Sequence, residues 1–146
     1  MIRPTPGYPD EVTDLALLAA VAASSPEVIL VVVFGSVGRG AAREESDVDL
    51  GVLLEPDTAE VRVRVEATLT AASRREVDFV VINDAPPQVR FEIAGGVKLF
   101  ERRPGVWRDT KARAMLDWWE WQPTARWVHE QYLARLRRQV GAGRGA

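Results

Sequence analysis

The chain has 146 residues, 47% hydrophobic and 27% charged, with no cysteine and a formal net charge of −2. That length suits one domain with a real core, and the missing cysteines exclude disulfides, thiolate-bound zinc and a cysteine nucleophile. The small net charge argues against coating nucleic acid by charge alone; with no apolar leader and no apolar run of ~20 residues, the chain reads as cytoplasmic, with no membrane partner.

Residues 1–10 read as a flexible leader, interrupted by Pro4, Pro6 and Pro9. Asp10 can cap a helix over Glu11–Ser24, where Leu15, Leu18, Ala19 and Ala22 recur at helical spacing, and Pro26 stops it. Val28–Phe34, VILVVVF, is a continuous β-branched run and predicts a buried strand. Gly35 and Ser36 form a turn, and a short helix follows from about Val37 to Glu44. Asp47–Leu54 is the second strand; Asp57 or Thr58 then caps a helix running to about Ser73. Val77–Ile82 is the third strand. Pro87–Ile93 is a short helix with proline in its first turn, Gly95-Gly96 ends it, and Val97–Phe100 is a short edge strand.

Past Pro104-Gly105, Val106–Trp121 and Thr124–Val140 are helical in pattern, with a break or kink at Pro123 and a fraying tail at 141–146. The alternation predicts an α/β (α+β) fold. A small mixed sheet flanked by helices occupies 11–101, and a helical arm occupies 102–140. Charge divides at the same place. Residues 1–101 carry 9 Lys/Arg and 17 Asp/Glu, whereas 102–146 carry 10 and 4. The basic arm, with Trp107, Trp118, Trp119, Trp121 and Trp127, either meets a partner or packs on its own acidic body. Arg135, Arg137 and Arg138 fit a solvated face or an acidic partner, and the single His129 fits a surface position.

The chemistry concentrates in Phe34–Leu50, FGSVGRGAAREESDVDL. On a strand, Asp47 and Asp49 share one face while Val48, Leu50, Val52 and Leu54 take the other. Two carboxylates so spaced, roughly 7 Å apart at Cα, either stay solvated or converge on hard cations such as Mg²⁺. Asp78 stands in an otherwise apolar strand, with Val80 and Ile82 on its side. If that strand neighbours the second, the three aspartates cluster. Gly35 permits close backbone approach, and Ser36 would open a helix N-terminus suited to phosphate. Arg39, one turn on, would reach a phosphate oxygen.

In this order, GSVGRG then SDVDL then VDFVV, the chain resembles the minimal nucleotidyltransferases of the DNA polymerase β-like superfamily. The later VVINDAPPQVRFEIAGGVKLFE resembles those paired with HEPN-domain toxins. Gly38 departs from the usual alanine, and Gly51 stands where a larger apolar residue is common, which would loosen strand packing. The resemblance implies an Mg²⁺-dependent antitoxin that transfers AMP from ATP to a hydroxyl, a tyrosine, of a HEPN toxin contacted partly by the arm. It assigns Asp47, Asp49 and Asp78 to two Mg²⁺ ions, Gly35, Ser36 and Arg39 to phosphates, and Ser46 to support of the carboxylate strand. Arg90 takes an intramolecular pair or a substrate-side role. The alternatives are an antitoxin that acts by binding alone and a small-molecule nucleotidyltransferase of the antibiotic-modifying type.

Overall fold

In the computed structural model, the described residues are 9–35 and 47–144. Helix α1 spans Pro9–Ala23. Strand β1 (Val28–Phe34) and strand β2 (Val48–Leu54) follow, then helix α2 (Ala59–Ala72) and strand β3 (Val77–Val81). A 3₁₀ turn over Ile82–Asp84 leads to helix α3 (Pro87–Ala94), strand β4 (Val97–Glu101) and helix α4 (Val106–Arg144).

The four strands form one sheet in the order β3-β2-β1-β4. β1 pairs antiparallel with β2 and β4, whereas β2 and β3 are parallel, so the sheet is mixed as expected. The apolar run of β1 is explained by its place: it is paired on both edges and all seven residues are buried. Leu30, Val32 and Phe34 point to one face, and Val31 and Val33 to the other. Val28 breaks that alternation because the register shifts between Val28 and Leu30, the signature of a bulge.

Each face has its own core. On one, Leu18 and Ala22 of α1 and Val61, Val65 and Leu69 of α2 cover Val48, Leu50, Val52 and Leu54. On the other, Ile93 and Val89 of α3 and Val106 and Trp107 of α4 meet Leu30, Val32, Phe34 and Val80. Gly51 lies on this second face. A Cβ there would meet Ile93 Cδ1 at 3.1 Å and its Cγ atoms at 3.2 Å. The absent side chain lets α3 sit close to the sheet, the opposite of loosened packing.

Local contacts set the ends of these elements. Thr58 Oγ1 accepts the Val61 N–H at 3.2 Å and caps α2. Asn83 terminates the sheet by imitating a strand: its Oδ1 accepts from Leu54 N–H at 2.9 Å and its Nδ2 donates to Leu54 O at 2.8 Å. Arg102 reaches back to α1, where Nη2 donates to Ala23 O at 3.2 Å and Ser25 O at 2.8 Å, and Nε donates to Val28 O at 2.7 Å. The bond to Ala23 O satisfies a carbonyl of the helix's last turn, and the guanidinium places a cation at the negative end of its dipole. Glu101 Oε2 accepts the Trp107 N–H at 2.8 Å and does the converse at the start of α4.

The arm differs from expectation. It is one 39-residue helix that runs through Pro123. Pro123 is exposed; the carbonyl one turn earlier that it leaves without a donor can bond to water, so the helix need not end there. The helix also continues through Gly141 to Arg144, where a fraying tail was expected. Its first turns pack on α3 through Arg90 Nη1, which donates to Asp117 Oδ2 at 2.7 Å, and through Phe91 stacked on Trp118 at 4.8 Å. The intramolecular pair expected for Arg90 is thus with α4.

Candidate active site

The site sits where β1 ends. Asp49 faces Phe34 across the β1–β2 ladder and Asp78 across the β2–β3 ladder. The alternation that buries Val48 and Leu50 turns Asp49 to the opposite face, and in β3 the same alternation turns Asp78 beside it. Asp47 is exposed, immediately before β2, and Asp78 is exposed as well. Gly35 follows β1 with φ 71°, a left-handed conformation that glycine adopts without strain. A Cβ built on Gly35 would fall on Asp49 Oδ2, so glycine is also required by the carboxylate beneath it.

Asp49 is the electrostatic centre of this group. Burial pushes its carboxyl above the ordinary aspartate value of 3.8, and the charges of Asp78 and Asp47, a hydrogen bond shared with Asp78, and the Glu92 charge push it further. Repulsion among carboxylates on neighbouring strands is relieved by holding a proton or by a cation. Among the described residues, no group of three or more His, Asp or Glu side chains is gathered around one point as metal ligands would be. The donor chemistry nevertheless fits a hard cation: every candidate is a carboxylate oxygen, and the backbone crosses them at a position without a side chain.

The structure sets Gly35 and Asp78 beside Asp49, with Asp47 near enough for its charge to act on Asp49, and does not draw the three carboxylates onto one point. Ser36, Arg39 and Ser46, like Gly38 and the expected helix from Val37 to Glu44, lie outside the described residues. Glu92 is a member of the acidic group whose part the sequence did not reveal. Its α3 position brings it over the carboxylates only after α3 folds back on the sheet. Beside the group is a cavity of about 340 Å³ lined by Gly35, Phe91, Glu92 and Gly95. A larger cavity of about 800 Å³ lies elsewhere on the same face, between Leu53 and the first turns of α4. Leu53 is four residues from Asp49 along β2, roughly 13 Å, so the smaller cavity is the one at the carboxylates.

The model of the polymerase beta nucleotidyltransferase family matches residues 17–104, which span both strands of the site and Asp78. The chain belongs to that family. It is a nucleotidyltransferase, and the folds of solved structures agree. A chain of a toxin–antitoxin complex crystallised with AMP-PNP superposes with a TM-score of 0.69 at 17% identity, covering 82% of this chain and 98% of that one. A chain of the complex between a tri-AMPylated Shewanella oneidensis HEPN toxin and its MNT antitoxin gives 0.67 at 15% identity, covering 84% and 98%. A chain of the toxin–antitoxin complex MntA-HepT gives 0.61 at 17% identity, covering 85% and 97%. Among curated proteins, none matches. Among the described residues, no helix is long and apolar enough to cross a membrane.

Proposed function

We propose that this nucleotidyltransferase is an antitoxin that transfers AMP from ATP to a tyrosine hydroxyl of a HEPN-domain toxin, with Mg²⁺. The observation that carries the reading is the Asp49–Asp78 register at the Gly35 turn. The partner is suggested by the relatives that share the fold: one such complex holds AMP-PNP and another an AMPylated HEPN toxin.

In the reaction, the acceptor oxygen bonds to the α-phosphorus, the bond from that phosphorus to the bridging oxygen breaks, and pyrophosphate leaves. The hydroxyl proton passes to a carboxylate of the group or to water. Asp47, Asp49 and Asp78 would hold two Mg²⁺ ions, and their mutual repulsion makes the site receptive to positive charge. When bound, such ions activate the attacking hydroxyl and neutralise the departing pyrophosphate. Gly35 keeps the turn uncrowded so that phosphates can approach the backbone. We assign Ser36 and Arg39 to the phosphates, and Ser46 to support of β2.

The arm has a feature suited to the partner. At 3.6 residues per turn, Val128, Tyr132, Leu136 and Val140 fall on the side of α4 that carries Trp107, Ala114, Trp118 and Trp121. The earlier residues of that side pack on the body, with Ala114 buried, whereas the later four are 39–59% exposed. A row that continues apolar beyond its own core is suited to an apolar surface on another chain. The same observation favours a second reading, an antitoxin that silences by binding alone.

Label transfer from α-phosphate-labelled ATP with Mg²⁺ to a co-expressed HEPN toxin separates the two. Label on the toxin that disappears with Asp47→Asn/Asp49→Asn is the expected result. A tight, silenced and unlabelled complex would refute transfer and leave binding. Label on the toxin that survives the double substitution would refute the site.

A further inference from the structure

The cavity beside the carboxylates has an aromatic wall that the transfer chemistry does not use. Phe91 lines it together with Gly35, Glu92 and Gly95. One face of the Phe91 ring is covered by Trp118, at 4.8 Å between centroids and 19° between planes. Trp118 in turn leans on Trp121 at 5.4 Å. Phe91 as a residue nevertheless remains 38% exposed and lines the cavity while Trp118 covers one face of its ring. The platform is fixed in place: the adjacent Arg90 is tied to Asp117 at 2.7 Å, which binds α3 to α4 at this point.

We infer that Phe91 is the stacking platform for the nucleobase of the bound nucleotide, in the cavity formed by Gly35, Phe91, Glu92 and Gly95. This rests on the nucleotidyl-transfer reading of the same site. The electrostatics set the direction of the ligand. Glu92 lines the cavity, and a carboxylate there repels phosphate while accepting hydrogen bonds from sugar hydroxyls or base amino groups. The uncharged end of the nucleotide therefore occupies the cavity, and the phosphates lie on the Gly35 side toward the aspartates. A volume of about 340 Å³ lies in the range of small-ligand pockets. An aromatic ring backed by a second ring offers a rigid π-face, which any base can use.

The test is equilibrium binding of AMP-PNP and, separately, of inorganic tripolyphosphate to the full chain with Mg²⁺, followed by tryptophan fluorescence. Phe91→Leu is expected to weaken AMP-PNP roughly 10-fold and to leave tripolyphosphate within about 2-fold, while Phe91→Tyr, which keeps the ring, stays close to the parent. Unchanged AMP-PNP affinity in Phe91→Leu overturns the inference and leaves the transfer reading standing. Equal losses for both ligands also overturn it, because Phe91 would then support the site rather than touch the base. A parent chain that binds neither ligand overturns the nucleotide reading and this inference together.

Discussion

Strand β1 and the distal half of α4 are built from similar residues and meet opposite fates. All of VILVVVF is buried, whereas Val128, Tyr132, Leu136 and Val140 are 54, 59, 39 and 56% exposed. The strand is enclosed because it has a hydrogen-bonded neighbour on each edge and helices over both faces. The helix follows the body with the same kind of apolar side and then outruns it. Among the described residues, the sheet is covered on both faces, while the distal arm presents an apolar row that stays exposed. Burial follows from what surrounds a residue more than from its type.

The comparison is tested hardest inside the body. Gly51→Val suits a strand by propensity, but its branches would strike Ile93, where even a Cβ already comes within 3.1 Å. The entire Ile93 side chain is near that position, so no single rotamer change makes room, and α3 must lift. We expect destabilisation of about 1–3 kcal/mol, the usual cost of overpacking a core. Transfer should fall with it, because α3 carries Phe91 and Glu92 to the site. Denaturant unfolding checks the first effect; an unchanged midpoint would show that α3 is not held tightly against the sheet.

Gly51 also marks how far the sequence could be read. The strand run, a cap at Asp57 or Thr58 and the edge position of β4 follow from local pattern; period-two alternation also fixes the side of its strand that Asp78 takes, but it is the pairing of β3 with β2 in the fold that sets it beside Asp49. The effect of Gly51 was read in the wrong direction because what packs over a strand is not written in that strand. Arg102 was missed for the same reason: its carbonyl acceptors lie 74–80 residues earlier in the chain. Glu92 joins the acidic group only through the fold of α3. At Pro123 the sequence leaves a break or a kink open; the helix does not break there, and the exposed arm lets water reach the carbonyl that the proline leaves without a donor.

A smaller effect of opposite sign comes from the acidic group. Asp49 in the folded chain holds its proton above the ordinary value of 3.8, so the native state binds more protons than the unfolded one across that window. Stability therefore falls as pH rises from about 3.8 through the raised value, and the deficit persists above it. Asp49→Asn removes this slope. Because the carboxylates are partly solvated, the gain in stability near neutral pH is expected to be no more than about 1 kcal/mol. Transfer should fall to background in the same protein. A melting temperature that rises as activity disappears marks the site as kept for chemistry against the preference of the fold; a melting temperature that falls would show that Asp49 is structural.

The smallest effect on the fold is expected in the arm, and its smallness is what makes it informative. Leu136→Ser removes an apolar side chain that is 39% exposed and lies beyond the body, so the isolated chain should change by less than about 0.5 kcal/mol. If the row is a contact surface, the same substitution should weaken capture of the proposed HEPN toxin much more strongly than it alters the melting of the free chain. The basic residues next to it in sequence, Arg135, Arg137 and Arg138, add an expectation of their own: capture should weaken with rising salt if the partner surface is acidic. Free-chain melting and partner affinity, measured on the one variant, separate the possibilities. Loss of affinity alone assigns the row to the partner. Loss of stability alone means that the row folds against its own body in solution, which would abolish the distinction between strand and arm.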